Sequence, residues 1–420
     1  MGYKNYFVIL AGLQIGGKTH MMFSRETADE VSLPELSEAI RKAQKLTDGE
    51  YELYNSNEAI LMKLLRKILR LSKQEKEWHV YFYALYEILY EAVRCDNYAD
   101  IIKYAEVYYK ESAIHMDREL PNYPNTNMAF LNTWIYDMIF DAYYLYHQID
   151  DAKMELFMRK FEEAALKYGK TYLYYEDEMV LGALYRDEQM MEHGLKYFKK
   201  YENQMLSCYV CGHKQCIPYY LLHDQPDMAE EFMRTVIEKR IPAKHQWCYQ
   251  YCQEAESGAM YATLLYNCLI LGKTEFFRYY YKKYWQKQPK AARRGKADRW
   301  YHSLSRYCCA IAGDFSQLEG DLNLAKEDVQ NSVKNNTVNN MEHFLYWYCY
   351  FELLDKSGVH EAAYEMPELS GGEDGKISCA ALSRYFEEKA DDFGTKFERA
   401  RAKFDYTFWK KSWRECAGLA

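Results

Sequence analysis

Apolar residues recur every three or four positions along almost the whole chain, as in Leu61, Leu64, Leu65, Ile68 and Leu69. That spacing places them on one side of a helix. The helices are punctuated in a regular way: an aromatic-rich helix, a short polar turn, then a second helix. The segments YEAVRCDNYADIIKYA (90–105), YLYHQIDDAKMELFM (144–158), YLLHDQPDMAEEFM (220–233), CLILGKTEFFRYY (268–280) and CAIAGDFSQLEGDL (309–322) share this form. Each turn carries Asp, Asn, Gly or Pro, which cap helices or accept turn geometry. Second helices are expected to begin near 98, 150, 188, 226, 274 and 315, a period of roughly 40 residues that fits stacked helical hairpins. A hairpin of this size cannot bury both apolar faces alone, so stacking is what makes its core continuous.

The pattern divides the chain into a cap segment at 1–56, a short hairpin or extended piece plus a helix, followed by helical repeats over 57–357. Residues 358–378, GVHEAAYEMPELSGGEDGKIS, read as an irregular loop, and 379–420 as capping helices. The run KQPKAARRGKADR (287–299) reads as a solvated basic connector.

Composition supports long helices. Proline contributes only 8 residues and tyrosine 43, the latter large bodies with a polar tip. A formal charge of −8 argues against general nucleic-acid or anionic-membrane binding. No apolar run approaches the roughly 20 residues that a membrane helix requires. The start, MGYKNYFVILAGLQIGG, lacks a small-x-small cleavage site and reads as part of the fold. Twelve cysteines in a chain of this length suit a reducing cytoplasm, where thiols stay free or bind metal.

The sharpest chemical signal is a cluster of thiols. Cys208, Cys211, His213 and Cys216 fall within SCYVCGHKQC, and Cys248 and Cys252 follow one hairpin later. Cys-x2-Cys lets two thiolates converge on one tetrahedral ion, and thiols four apart share one helix face. The favoured ligand set is Cys208, Cys211, Cys248 and Cys252, a structural zinc clip over 208–252; His213 and Cys216 are alternates. A compact set using those alternates needs a very tight loop and would pull Cys216 off the next helix. Four thiolates leave no open position for water, which makes such a site structural. Cys95, Cys268, Cys308, Cys309, Cys349, Cys379 and Cys416 read as small buried apolar residues.

Other motifs carry less. Gly12, Gly17, Lys18 and Thr19 complete GLQIGGKT, a match to the phosphate-binding loop after the strand-like YFVIL. A nucleotide-binding domain needs further strands and an acidic strand end, whereas the pattern from residue 57 is helical. LSGGE at 369–373 reads as a flexible glycine loop. Acid pairs such as Glu176, Asp177 and Glu178, or Glu162 and Glu163, read as solvated helix faces. No nucleophile, base and orienting group fall together in the sequence, so no catalytic residue is assigned and no enzyme is expected.

The hairpins resemble tetratricopeptide-like α-solenoids. More narrowly, the chain resembles a group of bacterial tetratricopeptide-like proteins over roughly residues 75–408. CYVC with Gln215, YYLLHDQPDMAEEF followed by Cys248, AIAGDFSQLEGDLNLA, and the terminal Arg401, Lys403, Phe404 and Asp405 carry the likeness. Tyr406, Thr407 and Phe408 stand where that group tends to have an Arg-Asn-Gly-like stretch. The resemblance implies an all-α fold, a right-handed superhelix of stacked hairpins, and an intracellular interaction module. The expected function is a cytoplasmic scaffold that binds a protein or peptide along its concave face, with no small-molecule substrate identified. Asn132, Asp137, Asn267 and Arg306, on the first helices of hairpins, are the candidate partner-binding residues. A peptide-sensing regulator acting through a partner, and a nucleotide-binding protein using Gly12 to Thr19, are the alternatives.

Overall fold

In the computed structural model the described residues are 25–47, 58–94, 97–119, 128–205, 208–294, 299–334, 337–364, 369 and 375–419. They are almost entirely helical. Two compact units are distinguished. One holds the described residues up to 144 together with 159–174, and the other holds 145–158 with 175–419.

The first unit begins with α1 (Arg25–Glu30), α2 (Pro34–Thr47), α3 (Glu58–Glu75), α4 (Trp78–Arg94), α5 (Tyr98–Glu119) and α6 (Met128–Leu145). Pro34 opens α2 at a position where a missing N–H costs nothing, with Glu35 in its first turn against the positive helix end. On α3 the buried Leu61, Leu65, Ile68 and Ser72 are spaced three or four apart, with Met62 and Leu71 buried beside them. Two residues then suffice to reverse the chain: Lys76 takes a left-handed conformation, φ 61°, and the Glu77 N–H donates to the Ser72 carbonyl. So short a link makes α3 and α4 antiparallel neighbours. Phe82, Leu85 and Leu89 of α4 are buried in this core, and α5 packs on the other side of α4.

The second unit continues the same construction with α7 (Asp151–Tyr168) and α8 (Thr171–Tyr185), whose ends it shares with the first, then α9 (Glu188–Tyr201). Asp187 caps α9 by accepting from the Met190 N–H at 3.0 Å. A Cβ on Gly194 would lie 3.0 Å from the Tyr175 carbonyl, so this glycine is what lets α8 and α9 approach so closely. There follow α10 (Tyr209–His213), α11 (Ile217–Leu222), α12 (Pro226–Ile237), α13 (Cys248–Tyr251), α14 (Ser257–Ile270), α15 (Thr274–Tyr280), α16 (Lys290–Arg294), α17 (His302–Ile311), α18 (Leu318–Lys334) and α19 (Val338–Lys356). The second helices of the hairpins thus start at Tyr98, Asp151, Glu188, Pro226, Thr274 and Leu318, at or close to the positions expected from the turns.

Beyond α19 lie β1 (Glu361–Ala363), β2 (Lys376–Ser378), α20 (Cys379–Ala400) and α21 (Tyr406–Ala417). The expected loop at 358–378 is therefore partly ordered: its ends pair as antiparallel strands, Glu361 opposite Ser378, with Ala362 and Ile377 buried. The period-two burial of only three residues per strand is too short to read against a helical background. The basic connector is also not wholly solvated. Arg294 is buried and pairs with Asp321 at 3.1 Å and Asp314 at 3.3 Å, and Arg299 reaches Glu256 at 2.7 Å. Glu176, Asp177 and Glu178 are likewise buried on α8, and not on a solvated face.

The last helix packs on helices far from it in sequence. α21, capped by Asp405 through the Phe408 N–H, packs on α14, α15 and α19. Ser412 Oγ donates to the Leu269 carbonyl and Tyr307 Oη to the Trp413 carbonyl, each at 2.6 Å. Trp409 and Trp413 are fully buried, and so is Arg401 just before, whose guanidinium donates to Tyr185 Oη at 2.8 Å and to the Ile149 carbonyl.

Candidate metal centre

The thiol cluster is built by two short helices on separate stretches of chain. Cys208 sits at the N-cap of α10 in extended conformation, so its sulfur turns back over the first helical turn and accepts from the Cys211 N–H at 3.4 Å. Three residues on, within α10, Cys211 brings its own sulfur to the same group. Cys248 opens α13 and Cys252 follows directly after that helix, again in extended conformation. Only one helical turn separates them, which brings both sulfurs to the α10 side.

Cys208 Sγ lies 3.4 Å from Cys248 Sγ, and Cys211 Sγ lies 3.6 Å from Cys252 Sγ. The sulfurs of Cys208, Cys211 and Cys252 are all within 4.8 Å of one another. Four sulfurs at about 2.3 Å from one tetrahedral ion would be about 3.8 Å apart. The spacing of Cys208, Cys211 and Cys252 thus suits a single ion, and the donor set suits zinc; Cys248 touches the group through Cys208 but is not among the three sulfurs that lie within 4.8 Å of one another. All four thiols are buried and none is in a disulfide.

Electrostatics divides the four. Donation from the Cys208 and then the Cys211 S–H groups holds the Cys252 thiol down to about 5, against the opposing effect of burial. Donation from Cys208, and from the Val210 and Tyr209 N–H groups, also lowers Cys248. Burial pushes Cys208 up. The hydrogen bond from Cys208 lowers Cys211, but its hydrogen bond to Cys252 and its burial outweigh that and push it up to about 12. Thiolate is therefore favoured at Cys252 and Cys248 alone, and an incoming cation would displace the remaining protons. Lys214, next to it, is a buried ammonium paired with Glu254 at 3.0 Å; its charge favours thiolate at Cys252 and Cys211.

The alternates are occupied elsewhere. His213 uses Nδ1 toward the Tyr209 carbonyl at 3.0 Å and Nε2 toward Glu202 at 3.3 Å, with its ring stacked on Tyr209. Cys216 is buried outside the group of converging sulfurs. Of the residues expected at a partner-binding face, Asp137, Asn267 and Arg306 are 0%, 4% and 6% exposed. Asn267 donates to the Thr263 carbonyl one turn back at 2.8 Å, and Arg306 pairs with Asp321 at 3.0 Å. The side chain of Asn132, and Gly12, Gly17, Lys18 and Thr19, lie outside the described residues. Most of LSGGE and Cys95 do so as well. A second convergence, His302 with Asp328 and His343, was not anticipated. Its members lie on three helices with no local spacing to reveal them.

No helix among the described residues is long and apolar enough to cross a membrane. Comparison of the chain with protein-family models, with curated proteins and with solved structures returns no match.

Proposed function

We propose that this chain is a non-catalytic scaffold of the reducing cytoplasm, a right-handed superhelical row of hairpins that binds a protein or peptide and is stapled at mid-length by structural zinc. The observation that carries the reading is the convergence of Cys208, Cys211 and Cys252 from two segments of chain, with Cys248 against Cys208. A closed thiolate site supplies ordering free energy and no open coordination position, which is what a scaffold needs at a junction between short helices. The repeated hairpins support the binding role, because stacked arrays present long continuous surfaces. Since Asp137, Asn267 and Arg306 are turned inward, the contact surface belongs to exposed side chains. Met228 on α12 and Tyr279 on α15 are exposed and of the kind that anchors interfaces.

The test is selection of peptides from a displayed random library on zinc-loaded protein, followed by titration of the enriched sequences. A peptide is expected to bind, to lose at least about tenfold in affinity with Tyr279→Ala or Met228→Ala, and to be released when zinc is stripped. Failure to enrich any peptide would remove the binding role, and a peptide indifferent to zinc would remove the staple from it.

A further inference from the structure

His302, at the start of α17, Asp328 in the middle of α18 and His343 on α19 meet where three consecutive helices pack. Asp328 Oδ1 is 3.1 Å from His302 Nε2 and 3.1 Å from His343 Nδ1. Two ligand atoms held about 2.1 Å from a metal at tetrahedral or octahedral angles would be about 3.0–3.4 Å apart. The ligand-type atoms of all three residues fall within 4.8 Å of one another.

The atoms that do not face the centre are held from behind. His302 Nδ1 donates to the Arg299 carbonyl at 2.9 Å, which leaves the Nε2 lone pair directed at the centre. Asp328 Oδ2 accepts from Trp347 Nε1 at 2.7 Å and from Ser303 Oγ at 2.9 Å, which fixes the carboxylate with Oδ1 between the imidazoles. Backbone carbonyl to histidine, and buried donors to carboxylate, are the supports that metal ligands ordinarily have. Asp328 is buried while the His343 side chain is 22% exposed, so the centre lies at the edge of the core with a way in past one imidazole. Among the described residues no fourth Cys, His or carboxylate joins the three. The buried Tyr364 hydroxyl, without a hydrogen-bond partner among the described residues, is a spare polar group in the field of Asp328.

We propose that His302, Asp328 and His343 form a second metal site, one that binds a divalent first-row transition ion through two imidazoles and one carboxylate and leaves coordination positions open to small ligands. Two nitrogens and an oxygen suit Fe2+, Co2+ or Zn2+ better than Mg2+ or Ca2+, which favour all-oxygen shells. The site differs in kind from the thiol cluster: that one would be closed by protein sulfurs, and this one is three-coordinate from the protein and exchangeable.

The test is titration of metal-free, reduced full-length protein with Co2+, read by absorbance and by bound metal after gel filtration. Thiolate charge-transfer bands report the cysteine cluster; the second site adds cobalt without them. The wild type is expected to bind one more equivalent than His343→Ala, whose thiolate bands and helical circular dichroism are unchanged. Ser303→Ala, which removes only a support, is expected to weaken that equivalent about tenfold. The difference between wild type and His343→Ala is decisive whatever the thiols bind. Equal stoichiometry and affinity in the two proteins would overturn the site and leave a proton-bridged histidine-aspartate cluster only.

Discussion

Replacing Asp321 by Asn tests whether the buried charge network at the base of α18 holds the second unit together. The carboxylate is buried and serves three partners: Arg306 at 3.0 Å, Arg294 at 3.1 Å and Tyr350 Oη at 2.8 Å. Arg294 keeps a second acid, Asp314, when Asp321 is neutralised, whereas Arg306 has no other ion pair among the described residues. The substitution therefore strands one buried guanidinium, not two, and loss of one partner of a buried pair costs about 3–5 kcal/mol. Asparagine still offers Tyr350 an acceptor oxygen, so the low end, about 3 kcal/mol, is expected. In urea, with a slope of about 3 kcal/mol/M, the midpoint of tryptophan fluorescence should fall by about 1 M. Adding Arg306→Met should recover part of the loss, because it removes the stranded charge and fills the space with an apolar side chain. A midpoint shift below about 0.3 M with unchanged slope, or a double variant no more stable than the single one, would refute the reasoning.

Further outcomes follow from other contacts. Gly394→Ala should destabilise α20 against α21 by about 1–3 kcal/mol, since overpacking outweighs the helix-propensity gain; its Cβ would overlap the Tyr406 ring, which Asp391 holds through Oη at 2.7 Å. Thermal unfolding checks this, and an increase in stability would contradict it. Burial holds His79 down to about 4 from its ordinary 6.5. The unfolded chain therefore binds more protons between those values, and the His79 contribution, full above pH 6.5, is lost as pH falls toward 4. Melting temperatures of His79→Gln measured across that window should decline less steeply than those of the wild type.

What the sequence discloses and what it hides follows from the range of the interactions. Helices and their turns were readable because capping and periodicity are local: Asp187 before α9 and Pro226 opening α12 announce themselves. The thiol cluster was readable because each half is local, Cys208 with Cys211 and Cys248 with Cys252, leaving one long-range pairing to infer. The buried acids of α8 do not announce themselves because their burial depends on tertiary packing, which no periodicity within α8 records. Arg294 looked like part of a basic linker because its partners, Asp314 and Asp321, come from the following hairpin. The His302, Asp328 and His343 centre needs three helices at once. The docking of α21 across α14, α15 and α19 likewise depends on Trp409 and Trp413 finding partners far away in sequence.

The central claim is a structural zinc held by Cys208, Cys211, Cys248 and Cys252, and metal content of the reduced, chelator-free protein tests it most directly. The account predicts thiolate-bound zinc at one equivalent that disappears in Cys208→Ser and Cys252→Ser, persists in Cys216→Ser, and takes part of the thermal stability with it when removed. Less than about 0.2 equivalents of zinc in the wild type, or full occupancy in Cys208→Ser, would contradict it.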